Sequence, residues 1–169
     1  MTIDKSIKSV YTHIMAKQNT SCNLQQCREI EQTCAVFNLR KASRVVTQLY
    51  EEMMKPAGIL PTQFTLLVVT RALGPVSISR MAEVLVMDRT TLTRNLKPLE
   101  REGLLSVRPG KDDKRSREVS LTSQGLKKLE QTLPLWKEAQ RRIKKAVGVS
   151  RLDRMLDDLT AVVDATWAS

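Results

Sequence analysis

Aromatic residues make up only 4% of this chain, and it carries a single histidine, His13. With so few aromatics, the core must be largely aliphatic, and the 41% apolar content is enough to build one. One histidine excludes a cluster of imidazole ligands. No apolar run approaches the ~18 residues a membrane-spanning helix needs, and the longest, Phe64 to Thr70, is far shorter. The N-terminus has no basic stretch leading into a long apolar one, so no secretory signal is read. Three cysteines, Cys22, Cys27 and Cys34, are an odd number without a CxxC pair. They make no disulfide framework and fit a reducing cytosol. Internal repeats and low-complexity tracts are also missing. These absences predict a soluble cytoplasmic protein with no membrane partner and no cofactor, and not an enzyme.

Positive charge is what the chain has in excess. Twenty-eight Lys and Arg face eighteen Asp and Glu, a formal net charge of +10. Such a balance points to a polyanion or an anionic membrane surface, although a basic protein can simply be soluble.

Hydrophobic spacing divides the chain. Ile3, Ile7, Val10 and Ile14 predict a short amphipathic helix inside an N-terminal extension over 1–23. A long helix is predicted from Leu24 to Lys55, stopped by Pro56 and Gly58. Pro61 opens the next helix, to Leu73, and Ser77 caps a short one over Ile78 to Leu85. After Gly125 a long helix passes Trp136 and reaches Val147, with a kink or break expected at Pro134. Ser150 and Asp153 have capping-box spacing for a last helix. Trp136 and Trp167 are expected to pack a layer formed by both chain ends.

The stretch from Val86 to Gly125 is the most informative. Asp88 caps a helix in which Leu92, Leu96 and Leu99 share one face, leaving Thr90, Arg94, Lys97 and Arg101 opposite. Thr91 and Thr93 flank that outer face, and Arg89 sits to its side. Arg and Thr at the start of such a helix are the residue types that read base edges in a major groove. Thr90, Thr91 and Arg94 are therefore assigned to bases, Lys97 and Arg101 to phosphates, and Arg89 to the backbone. Two strands follow, about Leu105 to Arg108 and Glu118 to Leu121. Their tip carries Lys111, Asp112, Asp113, Lys114, Arg115 and Arg117. A helix-turn-helix followed by a charged hairpin is the order of a DNA-reading helix and its wing. The partner this implies is double-stranded DNA.

At these residues the chain resembles the MarR family of winged-helix regulators over about Leu39 to Leu129. The resemblance rests on D-R-T-T-L-T-R-N-L-K-P-L-E-R-E-G-L-L and on D-K-R-S-R-E-V-S-L-T-S-Q-G. The family's wing signature falls on Asp113, Arg115, Leu121, Thr122 and Gly125. The resemblance implies a mainly α fold with a small β-wing. It places the winged helix-turn-helix over 59–122 and a helical dimerisation layer over 24–58 and 123–169. It also implies a homodimer on a pseudo-palindromic operator, usually a repressor, with Arg115 in the minor groove and Asp113 bracing the wing. Release by a small molecule, an oxidant or a thiophilic metal is implied too. In two respects this chain departs from the family: Leu60 stands where many members cap with threonine, and the extension over 1–23 has no family role.

The thiols are the sensor candidates that the sequence offers. On one continuous helix, Cys27 and Cys34 would share a face about 10 Å apart along the axis. That is too far for one disulfide, whose Cα atoms lie within about 7 Å. Cys34 lies about two residues upstream of the position where some relatives sense organic hydroperoxides. Each thiol is read either as a small buried hydrophobe or as a redox or thiophilic sensor. An architectural, weakly selective DNA binder and a thiol-based protein are the alternatives to a regulator.

Overall fold

Two units divide at Val45 and Val46 in the computed structural model, which describes residues 23–110 and 115–167. The expected helix through Ile3 and Ile14, together with Cys22, Asp113 and Lys114, lies outside the described residues. So does the side chain of Trp167.

In the first unit, α1 (Leu24–Thr33) opens with a reciprocal capping box, in which Asn23 Oδ1 accepts from the Gln26 amide at 2.9 Å. The predicted single helix is interrupted at Cys34, whose backbone is extended at φ −70° and ψ 113°, and α2 (Ala35–Met54) starts afresh. The cause is local. The Asn38 amide donates to the carbonyls of Glu31 (3.1 Å) and Cys34 (3.0 Å), which offers the backbone an alternative to the helical ladder. Cys27 and Cys34 therefore do not share a helix, and the spacing inferred from a continuous one does not apply.

The second unit holds the core. Met54, Leu67, Met81, Leu92, Leu99, Leu104 and Val119 are all buried there, an aliphatic interior as the composition required. Its helices are α3 (Pro61–Leu73), α4 (Ile78–Val84), α5 (Arg89–Arg101), α6 (Ser123–Val147) and α7 (Val149–Trp167). Ser77 caps α4 by accepting from the Arg80 amide at 3.1 Å. At α3 the altered cap is half replaced, because the Leu60 amide donates to Gln63 Oε1 at 2.9 Å.

Three strands, not two, form the sheet. β2 (Leu105–Pro109) and β3 (Arg117–Leu121) pair antiparallel, and β1 (Val76–Ser77) adds to the free edge of β3 in the order β1-β3-β2. Val76 faces Val119, so this two-residue strand buries one side chain while anchoring the start of α4 to the sheet.

Two further details emerge. Of the kink or break expected at Pro134, the break does not occur: α6 runs on through it, in an exposed stretch where water can serve the carbonyl that proline leaves free. α7 begins at Val149, with the Gly148 carbonyl accepting from Leu152 at 3.0 Å, so Ser150 and Asp153 lie inside the helix rather than capping it. Trp136 packs against the core of this second unit rather than serving only a layer of chain ends.

Candidate nucleic-acid interface

Helix α5 separates its two faces cleanly. Leu92, Leu96 and Leu99 are at most 2% exposed, while Arg89, Thr90, Thr93, Arg94, Lys97 and Arg101 face outward. Arg89, Thr90, Thr93, Arg94 and Lys97 line one shallow surface hollow, and Arg101 borders the next one along with Arg94 and Lys97. None of the four cations Arg89, Arg94, Lys97 and Arg101 takes part in an ion pair among the described residues. They are solvated and available to an incoming anion.

The threonines differ in what they have left to offer. Thr91 donates its hydroxyl and its amide to the Asp88 carboxylate, with the amide at 2.8 Å, which holds that carboxyl below its ordinary range. Thr93 spends its hydroxyl proton on the Arg89 carbonyl at 2.7 Å. Thr90 makes no side-chain hydrogen bond among the described residues and shares the hollow with Arg94. Of the three threonines, Thr90 thus has its hydroxyl available beside Arg94, while Thr91 serves the cap.

The wing is built by register. Leu105 faces Leu121 and Val107 faces Val119, which puts Arg108 opposite Glu118 and Pro109 opposite Arg117 at the outer end. The Gly110 amide closes the turn onto the Ser116 carbonyl at 3.0 Å. Arg115 is exposed beside this turn. A polar-faced helix at the end of a helix-turn-helix, followed by a two-stranded basic wing, defines a winged-helix DNA-binding class.

Comparison with known proteins narrows that class. Residues 59–117 match the MarR family model. The DNA-bound transcriptional regulator MosR of M. tuberculosis is 34% identical, with a TM-score of 0.69 over 78% of this chain and 97% of that one. The organic hydroperoxide resistance regulator of Bacillus subtilis is 32% identical over 89 residues, 53% of this chain and 60% of that protein. A mutant form of MarR from E. coli, complexed with operator DNA, has a TM-score of 0.72 at 24% identity over 79% of this chain and 97% of that one, a likeness of fold alone. The chain belongs to the MarR family, whose members are winged-helix, DNA-binding transcription regulators.

The walls of a second hollow were not legible in the sequence. A cavity of about 460 Å³ lies among α2, α3 and α6, walled by Thr47, Tyr50, Met54, Phe64, Thr65, Val68, Leu133 and Trp136 among others. No Lys, Arg, His, Asp or Glu lines it. Burial pushes the Tyr50 phenol above its ordinary pKa, with no charged neighbour acting on it. The apolar stripes of three helices hid this site, because each reads as ordinary core until the helices leave a gap.

Of the thiols, Cys27 is exposed on α1 and Cys34 is half-buried at the α1–α2 junction. No group of three or more His, Cys, Asp or Glu able to hold a metal occurs among the described residues. No helix among them is long and apolar enough to cross a membrane.

Proposed function

We propose that this protein is a homodimeric, sequence-specific repressor that grips a pseudo-palindromic operator and lets go when a small uncharged molecule fills the α2–α3–α6 cavity. The outer face of α5 is the observation that carries the reading. Four cations outside any ion pair and a free Thr90 hydroxyl stand over a rigid apolar face. That combination supplies bidentate donors for guanine and anchors for phosphate. Thr90 and Arg94 read bases, with Thr91 and Thr93 at their flanks, while Arg89, Lys97 and Arg101 hold the backbone. Arg115, with its sequence neighbours Asp113 and Lys114, serves the minor groove.

Dimerisation draws support from exposed apolar surface. Ile30, Val36 and Phe37 in the first unit, and Val149, Leu156 and Val162 on α7, are each at least 44% exposed. Isolated helices with such faces need a partner, and a second copy is the symmetric one. This reading assigns 24–58 and 123–169 to the dimer layer and 59–122 to DNA.

The release signal follows from desolvation. A carboxylate entering an apolar cavity without a cation would lose its hydration uncompensated, whereas a phenol or other neutral ring would not. Cys22, Cys27 and Cys34 are the oxidant or thiophilic alternative, favoured only by the exposure of Cys27. Selection of bound genomic fragments, with the mass of the complex measured, tests the whole. Paired half-sites held by two protomers are expected; binding indifferent to sequence would replace this reading with an architectural one.

A further inference from the structure

The reading helix ends against the beginning of α6, and one side chain joins them. The Thr122 hydroxyl lies 2.7 Å from the Gly103 carbonyl oxygen and 3.1 Å from that of Leu104. The same oxygen accepts from the Gly125 amide at 3.0 Å and so caps α6. Gln124 adds a bond from Nε2 to the Glu102 carbonyl at 3.2 Å. The three carbonyls come from the turn that closes α5. Gly125 makes the approach possible: a β-carbon there would overlap the Leu104 carbonyl oxygen and sit 2.8 Å from Leu121 Cδ1. Thr122 is thus at once the cap of α6, the residue that follows the wing's second strand and the strap on the turn that closes the reading helix.

From this clasp α6 continues without a break for 25 residues, about 37 Å at helical rise. It is held on the way by Lys128, whose Nζ donates to the Ala57 carbonyl at 3.0 Å. Its far end meets α7, which carries the exposed apolar stripe assigned above to the second copy. A stiff rod that is strapped to the reading helix at one end and joined to the dimer layer at the other converts subunit geometry into a distance on DNA.

We propose that Thr122 is a positioning residue that sets the spacing between the two reading helices, and so the half-site spacing the dimer accepts. The proposal rests on the homodimeric reading given above. Without the strap, α5 stays attached through Leu92, Leu96 and Leu99, but its last turn and the wing gain freedom to pivot. The correct spacing then binds less tightly, and a wrong spacing is punished less.

The experiment uses the full chain and the selected operator, resynthesised with one base pair inserted or removed between half-sites. Thr122→Val keeps the shape and deletes the hydroxyl; Thr122→Ser keeps the hydroxyl and deletes the methyl. Thr122→Val is expected to bind the native spacing about three- to tenfold more weakly. Its penalty for altered spacing should shrink, while Thr122→Ser retains the wild-type penalty. All titrations are run well below each variant's melting temperature, so a loss of stability alone leaves the spacing penalty unmoved. A Thr122→Val protein with the wild-type penalty overturns the proposal. Should that variant not fold, Gln124→Ala decides, with a smaller relaxation supporting the clasp and an unchanged penalty overturning it. A wild-type protein that binds DNA as a monomer overturns the dimeric reading and this proposal together, and the mass of the complex separates that failure from a failure of the clasp.

Discussion

Two concave surfaces of the second unit invite opposite ligands. The hollow on α5 is walled by Arg89, Thr90, Thr93, Arg94 and Lys97, and its cations face water. The cavity among α2, α3 and α6 holds about 460 Å³ with no ionic group in its wall. The difference is one of desolvation. A polyanion can be met at an exposed surface because its charge is neutralised by solvated cations and its counterions are released. An apolar wall, even a half-open one, favours a molecule that gives up little hydration on entry. The function proposed above uses both surfaces, one to hold a charged polymer and one to receive a signal that the polymer cannot mimic.

Breaking the support of the first surface should have the largest effect. Leu92→Ala removes a fully buried side chain beneath the reading face and should cost about 2–5 kcal/mol of stability, read from denaturant unfolding. A loss below about 1 kcal/mol would mean that α5 is not seated on the core as described. Changing the surface alone should leave stability untouched. Arg94→Ala should lose about 1–3 kcal/mol of base discrimination, whereas Lys97→Ala should weaken all duplexes alike and lower the salt slope by about one. Footprints that stay the same in Arg94→Ala would move the reading residues elsewhere.

The second surface is sharpened by a matched pair of probes. In a Trp167→Phe background, 1-naphthol should quench Trp136 and weaken operator binding, while 1-naphthoate, with the same rings and a negative charge, should bind about tenfold more weakly or worse. Equal binding of the two would place a cation in the cavity that the described wall lacks.

The smallest effect concerns the N-cap of α5. Bonds from Thr91 depress the Asp88 carboxyl, so its cap contribution is present above the ordinary carboxylate range and fades as pH falls through the lowered folded value. Asp88→Ala should lower the melting temperature slightly at neutral pH, and the gap from wild type should begin to shrink below about pH 4 and close only beneath the lowered folded value. A gap that persists in acid would show that the Asp88 charge is not what caps the helix. The Glu138 carboxyl, held at about 2 by Arg141 and Arg142, is half-buried on α6 and lines neither surface.

How much of this was readable beforehand depends on the range of the interaction. The inner leucines and outer cations of α5 follow from a period of 3.6, and Asp88, Ser77 and Thr122 announce their caps within three residues. The interruption at Cys34 was missed because Asn38 acts on carbonyls up to seven residues away, beyond any capping pattern. β1 was missed because two residues carry no alternation to detect. A break at Pro134 does not occur, because an interior proline in an exposed stretch removes one hydrogen bond without ending a long helix. Trp136 was expected in a layer of chain ends; that it also packs on the core and walls the cavity depends on helices distant in sequence.

By itself the sequence determined the winged helix-turn-helix and the two-faced reading helix, because periodicity, caps and turn residues act between near neighbours. Only the tertiary structure decided that α5 is strapped to α6 through Thr122 and Gly125, that Lys128 reaches Ala57 seventy-one residues away, and that three apolar helices leave an uncharged gap between them. Those features arise from how closely distant backbones approach, and the packing of whole helices sets that approach.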